Sequence, residues 1–99
     1  MKATHVRYTA KPDAADENQR LIEGVFAQMH AQAPPDVRYM VLRLGETFVH
    51  VAQSGGAGPN PLTQLAAFKA FQSGVKERCA EMPAVSEATV VGHYRMLNE

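Results

Sequence analysis

The 99-residue chain has no tryptophan and a single cysteine, and its 10 Lys+Arg are balanced by 10 Asp+Glu. Each shortage excludes something. One cysteine rules out a disulfide framework and a multi-cysteine zinc site. A formal net charge of zero, with four histidines counted as neutral, removes the basic field that nucleic acid or an anionic membrane needs as main partner. No stretch approaches the roughly 18 consecutive apolar residues of a membrane helix. The opening MKATHVRYTA holds His, Arg and Tyr and no apolar core, so it does not read as a signal peptide. With one thiol and no export signal, the expected location is cytoplasmic.

What is present suits a folded chain. Apolar residues make up 45% and charged residues 20%, which argues against disorder. The length suggests one domain spanning 1–99, and no linker or repeat divides it.

Residues 3–9 (ATHVRYT) read as a strand, since polar and apolar residues alternate among β-branched and aromatic types. Lys11-Pro12-Asp13 interrupts it, and Asp13 is the expected helix cap. A helix is expected over 14–32, because Leu21, Ile22, Val25, Phe26 and Met29 form one stripe. Pro34-Pro35 ends it. Residues 37–44 and 47–53 are apolar strands separated by Gly45-Glu46, the pattern of a type II′ hairpin. Ser54–Pro59 reads as a mobile loop. Asn60-Pro61 then opens a second helix, expected over 61–80, with Leu65, Phe68, Phe71, Val75 and Cys79 on one side. A last strand is expected over 87–96.

The order β-α-β-β-α-β is the ferredoxin-like pattern of an α+β fold. It places four antiparallel strands in the order 4-1-3-2 with two helices on one face. Strands 37–44 and 47–53 are apolar on both sides, so the other sheet face also needs a cover. The expected cover is a second copy of the chain, making a homodimer.

Four segments carry a family resemblance: VRYTAKPD, LIEGVFAQM, YMVLRLGETFVHVA and AFKAFQ. Together they resemble the dimeric α/β-barrel superfamily, nearest the antibiotic-biosynthesis monooxygenase-like and stress-responsive barrel domains. The resemblance implies two sheets paired face to face in a dimer, with a pocket between sheet and helices in each subunit. Family functions include cofactor-free oxygenation of aromatic polyketides, haem degradation and small-molecule isomerisation. Haem-degrading members share a His on the second helix and a pocket Trp. This chain has no Trp, and residues 61–80 contain no His. Oxygenase members use Trp and Asn near the pocket. Here Asn18, Asn60 and Asn98 are expected at helix or chain-end positions.

The candidate chemistry rests on histidines placed on strands. His50 and His93 are the expected acid/base residues, because an imidazole titrates near neutrality. His5, Arg7 and Arg95 are expected on the same sheet face, where the guanidiniums would hold an anionic group. Val6, Tyr8, Val49, Val51, Val90 and Tyr94 are expected to face the helices instead. Tyr39 and Tyr94 are candidates for phenol contacts to a small-molecule ligand, and Tyr8 is a further one. No metal site is expected, since no carboxylate sits at ligand spacing with these histidines. Ser54–Pro59 matches neither of the glycine-rich phosphate-binding patterns, and no cofactor is expected. Cys79 reads as a buried small apolar residue. Two functions stay open: a small enzyme acting on an organic molecule without a cofactor, and a non-catalytic dimeric module that binds a ligand or partner.

Overall fold

The computed structural model describes residues 2–54 and 60–97. Strand β1 (Lys2–Ala10) leads into helix α1 (Ala15–Gln32), and the hairpin β2 (Val37–Leu44) and β3 (Thr47–Ser54) follows. Three short helices come next: α2 (Pro61–Gln64), α3 (Ala66–Ser73) and α4 (Val75–Arg78). Strand β4 (Cys79–Thr89) completes the order. The sheet is antiparallel throughout, in the order β2-β3-β1-β4. This is the expected 4-1-3-2 arrangement of a ferredoxin-like α+β fold.

The hairpin forms as its two-residue loop requires. Leu44 pairs with Thr47, and Gly45 alone of the loop residues has positive φ, at 65°. That is the glycine-first pattern of a type II′ turn. Helix α1 ends at Ala33, a left-handed cap with φ 46° whose N–H donates to the Met29 carbonyl. Pro34 follows and cannot extend the helix. The helix begins at Ala14, which makes no side-chain cap bond, so Asp13 is not the cap. Asp16 and Glu17 still sit in the first turn, where the helix dipole favours them.

Two expectations are corrected. The helix expected over 61–80 is three pieces, broken at Leu65, which is extended (φ −72°, ψ 134°), and at Gly74. Glycine is a poor helix former, and its weakness falls where α3 stops. The extended Leu65 lets Leu62, Leu65, Phe68 and Phe71 all bury. The last strand runs over 79–89 rather than 87–96. Pro83 lies inside β4. An edge strand accepts proline, because one row of its N–H groups has no ladder partner to lose. The β1–β4 register slips between Arg7 and Thr9, opposite this proline, and again before Ala10. Residues 90–97 follow β4 as a tail that is exposed from residue 91 on. The expected loop 54–59 falls, from residue 55 on, outside the described residues.

The core lies between the sheet and the helices. Even-numbered residues of β1 and β3 supply Tyr8 and Phe48, and α1 supplies Ile22 and Val25. Val25 is fully buried and Phe48 is 1% exposed. All four phenylalanines and two of the three tyrosines meet here: Tyr8 stacks on Phe48 at 5.6 Å and Phe26 on Tyr39 at 5.0 Å. Phe68 lies 5.9 Å from Phe71 between ring centroids. On the opposite face Leu42 and Leu44 are 53% and 80% exposed, beside the half-buried Met40, Val49 and Val51.

Phe48 closes the centre of this core, so truncating it leaves a cavity that rigid neighbours fill poorly. Phe48→Ala is expected to lower stability by ~3–5 kcal/mol, read from the midpoint shift of urea unfolding.

Candidate functional site

A cavity of about 500 Å³ opens between the sheet and helices α2 and α3. Val6, Ala52, Leu62, Phe68, Phe71 and Val85 supply apolar wall, and Asn60, Thr63 and Gln72 are among the polar residues that line it. The exposed pair Lys2 and Glu87, 3.6 Å apart, marks its outer edge. The size and lining are those of a site for a small organic molecule.

One wall carries a chain of buried polar groups. Tyr39 Oη is 2.6 Å from His50 Nδ1, and His50 Nε2 is 2.9 Å from Tyr8 Oη. Asn18 Nδ2 donates to Tyr8 Oη at 2.8 Å, and Arg78 Nε donates to Asn18 Oδ1 at 3.0 Å. Arg78 also donates from Nη2 to the Phe71 carbonyl at 2.7 Å and lies over the Phe71 ring, 5.4 Å from its centroid. His50 is 6% exposed, and Asn18 is fully buried. Every buried side-chain polar atom among the described residues has a partner.

Local structure explains each placement. His50 lies on β3 between the core residues Phe48 and Ala52, and its cross-strand partners are Val6 and Val41. Tyr39 lies on β2 opposite Ala52. Asn18 is one turn before Ile22 on the buried stripe of α1. Arg78 ends α4, and its guanidinium folds back beside Gly74. A methyl group at residue 74 would come within 2.9 Å of Arg78 Nη1. Gly74 therefore both ends α3 and leaves room for this side chain.

Burial sets the protonation states. It lowers His50 from its ordinary 6.5 to about 4, so the imidazole is neutral near pH 7. It raises Tyr8 to about 12, against a smaller lowering by the Asn18 hydrogen bond. It also raises Tyr39, with a further push from Tyr8. The wall is thus an uncharged relay of phenol, imidazole and phenol, with a guanidinium behind it.

The expected residues divide. His50 and Tyr39 meet on the cavity wall, joined by Tyr8. His5 and Arg7 pair with Val51 and Val49 on the other sheet face and do not line the cavity. The expected parity of β3 is reversed, because His50 and Phe48 face the helices while Val49 and Val51 face away. Hydrophobicity alone favoured the valines, but two phenols and Phe71, stacked 5.5 Å away, give the imidazole a satisfied place inside. His93, Tyr94 and Arg95 lie in the tail after β4 and converge with neither group. There Arg95 sits over the Tyr94 ring, 5.2 Å from its centroid. Asn18 and Asn60 stand at the expected helix positions, within α1 and at the cap of α2, and both belong to the site: Asn18 anchors the relay and Asn60 lines the cavity. The position of Asn18 on the apolar stripe, in helical step with Ile22 and Val25, was its available signal. Arg78 had none. Among the described residues no cluster of metal-ligating side chains occurs.

No family model matches the chain, and no curated protein matches it. Solved structures do. A Caulobacter crescentus protein with the provisional name antibiotic biosynthesis monooxygenase aligns with TM-score 0.72 and 14% identity, over 92% of this chain and 90% of its own. A Nitrosomonas europaea protein of the same provisional name aligns at 0.71 and 16%, over 91% and 89%. A Mycobacterium tuberculosis protein aligns at 0.70 and 15%, over 93% and 96%. The chain therefore has the fold of the antibiotic biosynthesis monooxygenase-like domains. At these identities the likeness is one of fold.

The buried imidazole makes stability depend on pH in a definite direction. Between about 4 and 6.5 the unfolded chain binds a proton at His50 that the folded chain refuses. Stability contributed here is complete above the unfolded value and falls as pH drops through that window. The loss is about 1.4 kcal/mol per pH unit where the difference is full. Urea unfolding from pH 7 to 4.5 should show this slope, and His50→Gln should flatten it relative to the parent chain.

Proposed function

We propose that this chain is one protomer of a homodimeric α/β-barrel enzyme whose own side chains act on a small organic molecule held in the cavity. The observation that carries this is the Tyr39–His50–Tyr8 relay on the wall of a pocket whose inner lining is largely apolar and whose other polar residues include Asn60, Thr63 and Gln72. Buried polar groups are costly unless partnered. A relay in that place offers a ligand a buried polar contact. Apolar walls bind a flat hydrocarbon framework, and Tyr39, backed by His50, meets its oxygen. In this reading Tyr39 is the residue that touches the substrate and His50 holds or passes its proton. The provisional name that the Caulobacter and Nitrosomonas neighbours share is consistent with small-molecule chemistry on this fold.

A binding module without turnover is the second reading. Burial holds His50 at about 4, which makes it a weak base near neutrality. Saturable binding with no product would favour it.

The dimer rests on the uncovered sheet face. Leu42 and Leu44 expose apolar area that association would bury, at roughly 25 cal/mol per Å². Light scattering is expected to give twice the 10.8 kDa chain mass at micromolar concentration. Leu42→Lys combined with Leu44→Lys should shift the protein to monomer, and a wild-type monomer would remove the dimer from the proposal.

The activity is tested by incubating the protein with a panel of small aromatic phenols and ketones and following products by mass spectrometry. For any compound turned over, Tyr39→Phe should lower kcat by ~10²-fold or more with unchanged circular dichroism. Equal kcat in parent and variant would overturn the catalytic assignment.

A further inference from the structure

The polar wall has a direction, and that direction follows from counting protons. Arg78 can only donate, so its contact fixes Asn18 with Oδ1 toward the guanidinium and Nδ2 toward Tyr8. Tyr8 Oη therefore accepts from Asn18 and must place its own proton elsewhere. Tyr8 is 2% exposed, and the acceptor within reach is His50 Nε2, at 2.9 Å. A neutral imidazole that accepts at Nε2 carries its proton on Nδ1. Nδ1–H then donates to Tyr39 Oη at 2.6 Å. Among the described residues the Tyr39 hydroxyl proton has no partner left, and Tyr39 lines the cavity, so the proton is directed there. The opposite arrangement would bury the Tyr8 proton without an acceptor, at a cost of ~1–3 kcal/mol.

We infer that Asn18, oriented by Arg78, is a positioning residue that fixes Tyr39 as a hydrogen-bond donor, so that the cavity selects ligands presenting an acceptor oxygen and rejects ligands presenting an N–H or O–H at that point. The inference rests on the reading that the cavity holds a small organic molecule. Two features strengthen it. All four donors run the same way, so each polarises the next. The guanidinium at the far end pairs with no carboxylate among the described residues, and its positive charge favours electron-rich oxygen at the other end.

Replacing Asn18 by the near-isosteric aspartate should reverse every link beyond Arg78. A carboxylate beside Arg78 stays ionised and accepts from both Arg78 and the Tyr8 hydroxyl. Tyr8 Oη then accepts from His50 Nε2–H, and Nδ1 accepts from Tyr39. The cavity would see only lone pairs of Tyr39.

The test uses two flat bicyclic probes of similar size, 1-indanone with an acceptor oxygen and indole with an N–H donor. Binding is followed by NMR titration of the intact protein. Nitrogen-15 spectra of the histidine rings report the His50 tautomer independently of any ligand. The expected result is an Nδ1–H tautomer and a roughly tenfold preference for 1-indanone in the parent, a factor that corresponds to the lower part of the cost of an unmet buried donor. Asn18→Asp should give the Nε2–H tautomer and a preference for indole. Tyr39→Phe, which leaves the fold's packing in place, should abolish the preference. An Nε2–H tautomer in the parent, or the same probe preference in Asn18→Asp as in the parent, overturns the inference. If neither probe binds the parent, the small-molecule reading fails, and the two tautomers alone decide the donor chain.

Discussion

A buried guanidinium that pairs with no carboxylate among the described residues is the constraint around which this molecule is arranged. Arg78 is 8% exposed, and charge in that position is tolerated only when hydrogen bonds replace the lost water. Its partners are therefore dictated. The Phe71 carbonyl is available because it lies just before α3 gives out at Gly74, and glycine there leaves the space that a side chain would fill. Asn18 supplies the second acceptor from α1. Because an amide that accepts on one side must donate on the other, one cation in the core sets the roles of Tyr8, His50 and Tyr39 in turn.

The same constraint explains why an aromatic core carries polar atoms at all. The four phenylalanines with Tyr8 and Tyr39 would pack as an apolar cluster, yet two hydroxyls and an imidazole lie among them. Each is paired, and the stacking of His50 on Phe71 lets the ring serve as packing as well as relay. Stability and site chemistry therefore rest on shared residues.

Much of the fold was legible in the sequence. Regular periodicity gave α1, β1 and the hairpin, and the element order gave the sheet topology. The errors fell where local pattern is weak. Strand β4 (CAEMPAVSEAT) has little apolar alternation, since most of it is an exposed edge, so the richer segment that follows looked more strand-like. The apolar stripe of residues 61–80 was real as burial but not as one helix, because an extended Leu65 can keep the same residues inside. The site was half legible. His50 and Tyr39 were recognisable as chemistry on strands, but which way His50 points depends on its tertiary partners, and hydrophobicity pointed to its valine neighbours. Arg78 was invisible, because nothing in a sequence marks a cation that the core will accept.

The missing tryptophan has an optical consequence. Ultraviolet emission from this chain comes from three tyrosines, and two of them, Tyr8 and Tyr39, are hydrogen-bonded to one imidazole on the cavity wall. The third, Tyr94, is 82% exposed in the tail. The protein thus carries its own label: a solvent-like signal from one end of the chain and a buried, imidazole-coupled signal from the place where a ligand would sit.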